Sequence, residues 1–193
     1  GGHFDERESE HIDFIRDTLL NYTYTEISQR YDGVDSYKIS ATDIAEDINK
    51  GLGIATYCDH GEELKWVLAD FDTQCVHNLT NDNMLPFIWS VSCLNGHFDV
   101  DECFAESWMR SINPETGAPT GAIGGMFSWI SQPWVPPLYG QDEMVAILTE
   151  WRDGYSNTLG GASLNGNMYI LDMCPEDRGY THYSWLLFGD PSL

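Results

Sequence analysis

An α/β fold, a layered sandwich around a mostly parallel sheet, is predicted by short apolar runs that alternate with amphipathic stretches. Three runs carry the expectation. Phe87-Ile88-Trp89-Ser90-Val91 is a continuous aromatic and β-branched block with the composition of a strand buried on both faces. Gly53-Ile54-Ala55-Thr56-Tyr57-Cys58 repeats the design, and Gly121 to Phe127 supplies a third buried strand. Between these runs the spacing turns helical.

Taken in order, the chain opens with Gly1-Gly2 and an acidic entry, after which Ile12, Ile15 and Leu19, with Phe14 alongside, recur at helical spacing; a helix is predicted over about Glu8 to Asn21. Tyr24 to Tyr31 alternates weakly and is predicted as a strand turned by Asp32-Gly33. Ser40 stands three residues before Asp43, a capping pair that starts a helix through Ile44, Ala45 and Ile48, closed by Gly51. Phe71 to Leu79 reads as a short helix, and Cys103 to Arg110 as another. Ser128 to Pro137 is expected to be an aromatic, proline-stiffened loop. Gln141 to Trp151 is helical by Met144, Ile147 and Leu148, and a glycine-rich helix from about Thr158 to Leu171 is expected to pack closely on a neighbour through Gly160, Gly161 and Gly166. With no repeats, linkers or low-complexity tracts, residues 1–193 are taken as one domain.

Nine Lys and Arg against 31 Asp and Glu give a net charge of −22, a surface that repels nucleic acid and anionic membranes and attracts cations and basic peptides. Carboxylate-rich loops such as Asp99-Val100-Asp101-Glu102 offer hard oxygen ligands of the kind calcium takes. No apolar run approaches the ~18–20 residues of a membrane span, and no signal-peptide pattern opens the chain, which is expected to be a mature or excised fragment. The five cysteines lack zinc-type spacing, and their odd number leaves at least one thiol unpaired within the chain.

Two of the runs end in chemistry. Asn95-Gly96 turns the chain just after Cys93, which places a thiol at a strand's carboxyl end, and the Cys58 run delivers Asp59-His60-Gly61 at its own. Neighbouring parallel strands would set an imidazole beside a thiol, the minimum for a cysteine nucleophile, since the imidazole stabilises the thiolate or shuttles its proton. Gly61 has no side chain to obstruct a substrate carbonyl, so its N–H and that of Cys93 are candidate oxyanion donors. His97 is a second candidate base, although a loop neighbour is less well registered than a strand end. Cys58 is assigned to the core; Cys75, Cys103 and Cys174 to the core or to disulfides; His3, His11, His77 and His182 to surface or capping positions.

His60-Gly61 after one apolar strand and Cys93 after the next resemble the caspase-like cysteine peptidases. Five ordered segments are similar to the gingipains among them: Ser92-Cys93-Leu94-Asn95-Gly96-His97-Phe98, Cys103-Phe104-Ala105-Glu106, Pro119-Thr120-Gly121, Gly140-Gln141-Asp142-Glu143-Met144 and Phe188-Gly189-Asp190-Pro191-Ser192. The resemblance implies a caspase-like three-layer sandwich and a secreted or cell-surface bacterial cysteine endopeptidase. In it Cys93 is the nucleophile, His60 the general base and acid, and Gly61 with the Cys93 amide the oxyanion hole. It also implies that Trp134 walls the primary specificity pocket, with Gln132 beside it, and that Glu8 recognises an arginine guanidinium, as a carboxylate can bidentately. No cofactor is required for such chemistry, and calcium is implied as a structural ion. The implied partners are a peptide or protein substrate and an upstream half-domain or second chain. The acid that orients the histidine in gingipains would precede Gly1; it belongs to an upstream segment or a separate chain, or Asp5 or Glu6 substitutes. A catalytically silent binding or secretion-associated module, and a sorting peptidase or transpeptidase, share the same residues and stay open as alternatives.

Overall fold

In the computed structural model, which describes residues 6–33 and 38–193, the chain divides into two compact units. The larger comprises residues 30–132 and 186–189. It begins with α1's successor in sequence, a helix Ala41–Asn49 (α2; α1, Glu8–Tyr22, lies in the other unit), whose N-cap Ser40 accepts from the Asp43 amide while the Asp43 carboxylate accepts from the Ser40 amide. Gly51, at φ +88°, ends the turn that follows.

Strands Ile54–Cys58 (β1), Phe87–Val91 (β5) and Gly124–Ser128 (β6) run parallel, and Trp185–Gly189 (β7) completes a sheet of order β1-β5-β6-β7. Between β1 and β5 the chain folds a small antiparallel sheet of Gly61–Glu62 (β2), Lys65–Trp66 (β3) and Phe71–Asp72 (β4), followed by the short helix Thr73–His77 (α3). Helix Phe104–Arg110 (α4) then precedes β6.

All five residues of β5 are buried, as a continuous apolar block demands of a strand covered on both faces. Ile88 joins a core in which Tyr57 stacks on Trp66 with centroids 4.6 Å apart, and Trp66 meets Phe104 at 5.1 Å and Trp108 at 5.5 Å. Phe71 adds edge and stacked contacts to the same two rings. Such pairs contribute roughly 0.5–1.5 kcal/mol each beyond their buried area. The cluster therefore pins the β2–β3 hairpin through Trp66, at the carboxyl ends of β1 and β5.

The second unit comprises residues up to 29, 133–185 and 190–193. Its helices are α1, Val135–Leu148 (α5), Leu159–Met173 (α6) and Tyr180–Ser184 (α7), with a 3₁₀ turn at Pro175–Asp177. Gly166 lets α6 approach α5: a methyl group there would lie 2.7 Å from Met144 Cε and 2.8 Å from the Gly140 carbonyl oxygen. Gly140 in turn sits against Ile170 and Trp185.

Several expectations are corrected. Tyr24 to Tyr31 forms no strand: the segment is largely exposed and pairs with no other strand among the described residues, so its weak alternation has no sheet to join. The stretch Phe71 to Leu79 divides into β4 and α3, because Asp72 caps the helix by accepting from the Cys75 amide. The proline-rich loop is shorter than expected, since α5 starts at Val135 and accommodates Pro136 and Pro137 in its first turn, where the missing N–H groups have no helical partner to lose. Helix α1 spans the expected residues but buries His11, Ile15 and Leu19, while Phe14 is half exposed. His11 is thus no surface residue; its Nε2 lies 3.0 Å from Gln141 Oε1 and its Nδ1 3.6 Å from Glu6 and 4.0 Å from Asp142. His3 and Asp5 lie outside the described residues.

Candidate active site

The register of β1 on β5 pairs Ile54 with Phe87 and Cys58 with Val91, and the Asp59 amide donates onward to the Val91 carbonyl. The ladder ends there, and its offset of 33 positions (91 − 58) equals the separation of His60 and Cys93 (93 − 60). At the main chain the two ends meet: a methyl group built on Gly61 would lie 2.6 Å from the Cys93 carbonyl oxygen, 2.8 Å from Ser92 Oγ and 2.9 Å from Ser92 Cβ. Only a residue without Cβ fits there, which is a steric reason for Gly61 independent of any chemistry.

The His60 backbone is held by its neighbours. Its carbonyl accepts from the Val67 amide at 3.1 Å and from the Tyr57 hydroxyl at 2.8 Å, while that hydroxyl accepts from the Leu68 amide. Burial pushes the Tyr57 phenol far above its ordinary value, so it stays a proton donor at any physiological pH. The imidazole itself is exposed, and the His60 amide donates to the Asp59 carboxylate.

Cys93 is half-buried, with Sγ 3.8 Å from the Gln132 carbonyl oxygen, a weak acceptor at that range. The next residue, Leu94, takes φ +60°, an uncommon conformation for a side chain branched at Cγ that turns the chain sharply after the thiol. Three main-chain bonds impose it: Leu94 N–H to Ile130 O at 2.9 Å, Gly96 N–H to Ser128 O at 2.8 Å and His97 N–H to Leu94 O at 3.0 Å. His97, the second candidate base, is engaged with Asp99 and lies edge-on to Trp129.

Gln132 shares a unit with Cys93, and both polar atoms of its side-chain amide are shut off from solvent without a hydrogen-bond partner among the described residues. Trp134 and Glu8 belong to the other unit. Trp134 is half-buried at the N-cap of α5, and Glu8 is exposed in the first turn of α1. Glu6, one of the candidates for the missing acid, lies beside His11.

The remaining thiols differ from Cys93 in setting. No disulfide joins any two cysteines; of the two alternatives left open, Cys103 and Cys174 take the core one, and Cys75 is half-buried. Burial pushes Cys103 and Cys174 up to about 11 and raises Cys75, so all three are protonated at neutral pH. Among the described residues no three His, Cys, Asp or Glu side chains converge as a metal cage would require. In the acidic loop proposed for calcium, Asp99 is taken by His97, and Glu102 by His77 at 2.8 Å and Arg110 at 3.6 Å. No described helix is long and apolar enough to cross a membrane.

The feature that sequence reasoning missed is a buried polar cluster under the Cys93 turn. Trp66 Nε1 donates to Ser90 Oγ at 2.9 Å, Ser90 and Ser92 both donate to Asn95 Oδ1, and Asn95 Nδ2 donates to the carbonyls of Glu62 at 2.6 Å and Lys65 at 3.0 Å. Its one sequence signal was Ser90, a hydroxyl inside an otherwise apolar strand.

A parallel sheet whose adjacent strands end in His60-Gly61 and Cys93 defines an α/β chain of the caspase-like class. The chain belongs to peptidase family C25, whose sequence profile matches residues 4–193. It is 37% identical over 190 residues to gingipain R2 of Porphyromonas gingivalis, covering 97% of this chain and 25% of that protein. Gingipain R1 of the same organism is also 37% identical over 190 residues, with 19% of its length covered. The solved structure of the Arg-specific cysteine proteinase gingipain R (RgpB) superposes with a TM-score of 0.92 at 37% identity, over the whole chain and 44% of that structure. A complex of P. gingivalis RgpB pro- and mature domains gives 0.90 at 36% identity, over 45% of its matched chain. A third structure, of a protease 20% identical at a TM-score of 0.66, shares the fold. The chain spans about a quarter of the curated gingipain R2 it matches.

Proposed function

We propose that this chain carries the nucleophile and the histidine of a cysteine endopeptidase. Cys93 attacks the scissile carbonyl as its thiolate, and His60 takes the thiol proton and returns it to the leaving amine. The acyl-enzyme formed is then released by water. The amides of Gly61 and Cys93 hold the oxyanion, where one such donor is typically worth about 10²–10³ in rate. The observation that carries this reading is the β1–β5 register, which brings the main chain of Gly61 into contact with that of Cys93. The chemistry needs no cofactor; calcium, if bound by the whole protein, serves only as a structural ion and takes part in no step.

The substrate is a peptide or protein, with arginine preferred before the scissile bond, in line with the specificity stated for the related gingipain R. Trp134, Gln132 and Glu8 are proposed as its contacts. The unpartnered Gln132 amide supports this: a buried amide without partners costs about 1–3 kcal/mol, and a substrate backbone offers a donor and an acceptor. The acid behind His60 comes from an upstream half-domain or a second chain, and the protein acts outside the cytoplasm or at the bacterial surface.

Labelling with an arginyl chloromethyl ketone tests the reading. Stoichiometric modification at Cys93, abolished by His60→Ala, supports a peptidase. If Cys93 is not modified while an arginyl amide also goes unhydrolysed, the chain is a silent member of the family.

A further inference from the structure

Ser90, Ser92 and Asn95 are fully or almost fully buried, at 0%, 4% and 0% exposure, at the end of a strand otherwise apolar on both faces. Polar groups so placed are costly unless every donor and acceptor is matched. Here they are matched, and Asn95 is the centre. Its Oδ1 takes two hydroxyl hydrogens, from Ser90 and Ser92 on the nucleophile's side. Its Nδ2 spends both hydrogens on the hairpin that follows His60, one on Glu62 O in β2 and one on Lys65 O in β3. Its own carbonyl accepts from the Ala105 amide at the head of α4. All four hydrogen-bonding valences of the side-chain amide are thereby used, a demand that only an amide of this length meets: a carboxylate has no donors, and glutamine is one methylene too long.

We propose that Asn95 is the positioning residue of the site, fastening the Cys93 turn to the His60–Gly61 hairpin so that thiol, imidazole and the two oxyanion amides keep one geometry. The proposal rests on the assignment of Cys93 and His60 given above. Asn95 touches no substrate and acts through the segments it joins. Ser92 lies directly between the two, within contact of Gly61 on one side and bonded to Asn95 on the other. Loss of the amide would leave β1 and β5 paired while releasing the hairpin from the turn beyond them.

The test compares Asn95→Ala and the isosteric Asn95→Asp with Asn81→Ala in the intact protein. Asn81 is a stability control within the same unit. It is equally buried and also donates to two carbonyls, of Met84 and Gly121, and it has no part in the site. The first measurement is the rate of Cys93 alkylation by iodoacetamide against pH, read by peptide mass spectrometry and normalised to folded protein. The second is kcat and KM for an arginyl amide. In both Asn95 variants the alkylation profile is expected to collapse onto that of His60→Ala, with a rate at pH 7 lower by about 10- to 30-fold, as for a thiol that has lost a positioned base. kcat falls about 10²-fold with KM within threefold, the cost of misplacing reacting groups by about an ångström. Asn81→Ala lowers the melting temperature comparably but leaves profile and kcat per folded molecule unchanged.

Asn95 variants that keep the wild-type profile and kcat, or an Asn81→Ala that shifts them equally, overturn the proposal. An alkylation profile insensitive to His60→Ala overturns it together with the peptidase reading. A protein that hydrolyses nothing but whose alkylation profile moves with Asn95 refutes the peptidase reading alone and upholds the positioning role.

Discussion

Gly61→Ala is the perturbation whose outcome the structure defines most closely. The added methyl group would sit 2.6 Å from the Cys93 carbonyl oxygen, where real contacts of this kind begin at 3.0–3.4 Å, so one backbone must retreat by roughly 0.4–0.8 Å. Neither retreats easily. The Cys93 side is anchored by the Leu94, Asn95 and Gly96 bonds, and the Gly61 side by the Trp66 cluster and the clamp on the His60 carbonyl. Overpacking of this sort costs about 1–3 kcal/mol of stability. A displacement approaching an ångström between an oxyanion donor and the nucleophile costs about 10²-fold in rate. Because the oxyanion exists only in the transition state, the loss should fall on kcat, with KM nearly unchanged. Initial rates on an arginyl amide, corrected for the fraction of enzyme titratable at Cys93, measure it. A Gly61→Ala variant within threefold of wild-type kcat would refute both the close approach and the use of that amide as a donor.

Four further outcomes follow from the packing and burial described above. Trp66→Phe keeps the ring cluster but deletes the bond to Ser90, and should cost about 1 kcal/mol, or about 2–4 °C in melting temperature by calorimetry. Gly166→Ala drives a methyl group into Met144 and the Gly140 carbonyl, so α5 and α6 should separate at a cost of about 1–3 kcal/mol in urea unfolding. Iodoacetamide at pH 7.5, roughly a unit below a free thiol's titration, should modify Cys93 in the native protein and reach Cys103 and Cys174 only after unfolding, as peptide mapping would reveal. Those two thiols titrate higher folded than unfolded, so their contribution to stability is complete below about pH 9 and should be lost as pH rises toward 11, measurable as a falling denaturation midpoint over that window.

What the sequence disclosed and what it hid follow from the range of the signals. β5 and β6 were legible because strands buried along their whole length are mostly apolar, β1 because it is a short apolar run although only Tyr57 in it is fully buried, and α2 because Ser40 and Asp43 form a reciprocal cap. The β2–β3 hairpin was not, because two-residue strands are too short to alternate and its turn, Glu63-Leu64, contains none of the usual turn residues. Its position depends on Trp66 and Asn95, which are distant in sequence. The start of α5 was hidden by Pro136 and Pro137, which mark a loop in most contexts and a first turn in this one. For the proposed site, the strand ends were what made Cys93 and His60 legible as candidates. Asn95 looked like ordinary turn chemistry before Gly96, and nothing local distinguishes an asparagine that turns a chain from one that bonds across to another segment.

Leu94 bears on how such a protein meets its substrate. A leucine held at φ +60° carries about 1–2 kcal/mol of torsional cost, and the bonds from Leu94 and Gly96 to the 128–130 segment keep it there. The elbow bearing the sulfur is consequently tensioned from outside, like a string over a bridge, with little freedom of its own to follow an incoming chain. Under the function proposed above, accommodation falls to the peptide, so ligands already curved at the scissile bond should be captured faster than extended ones.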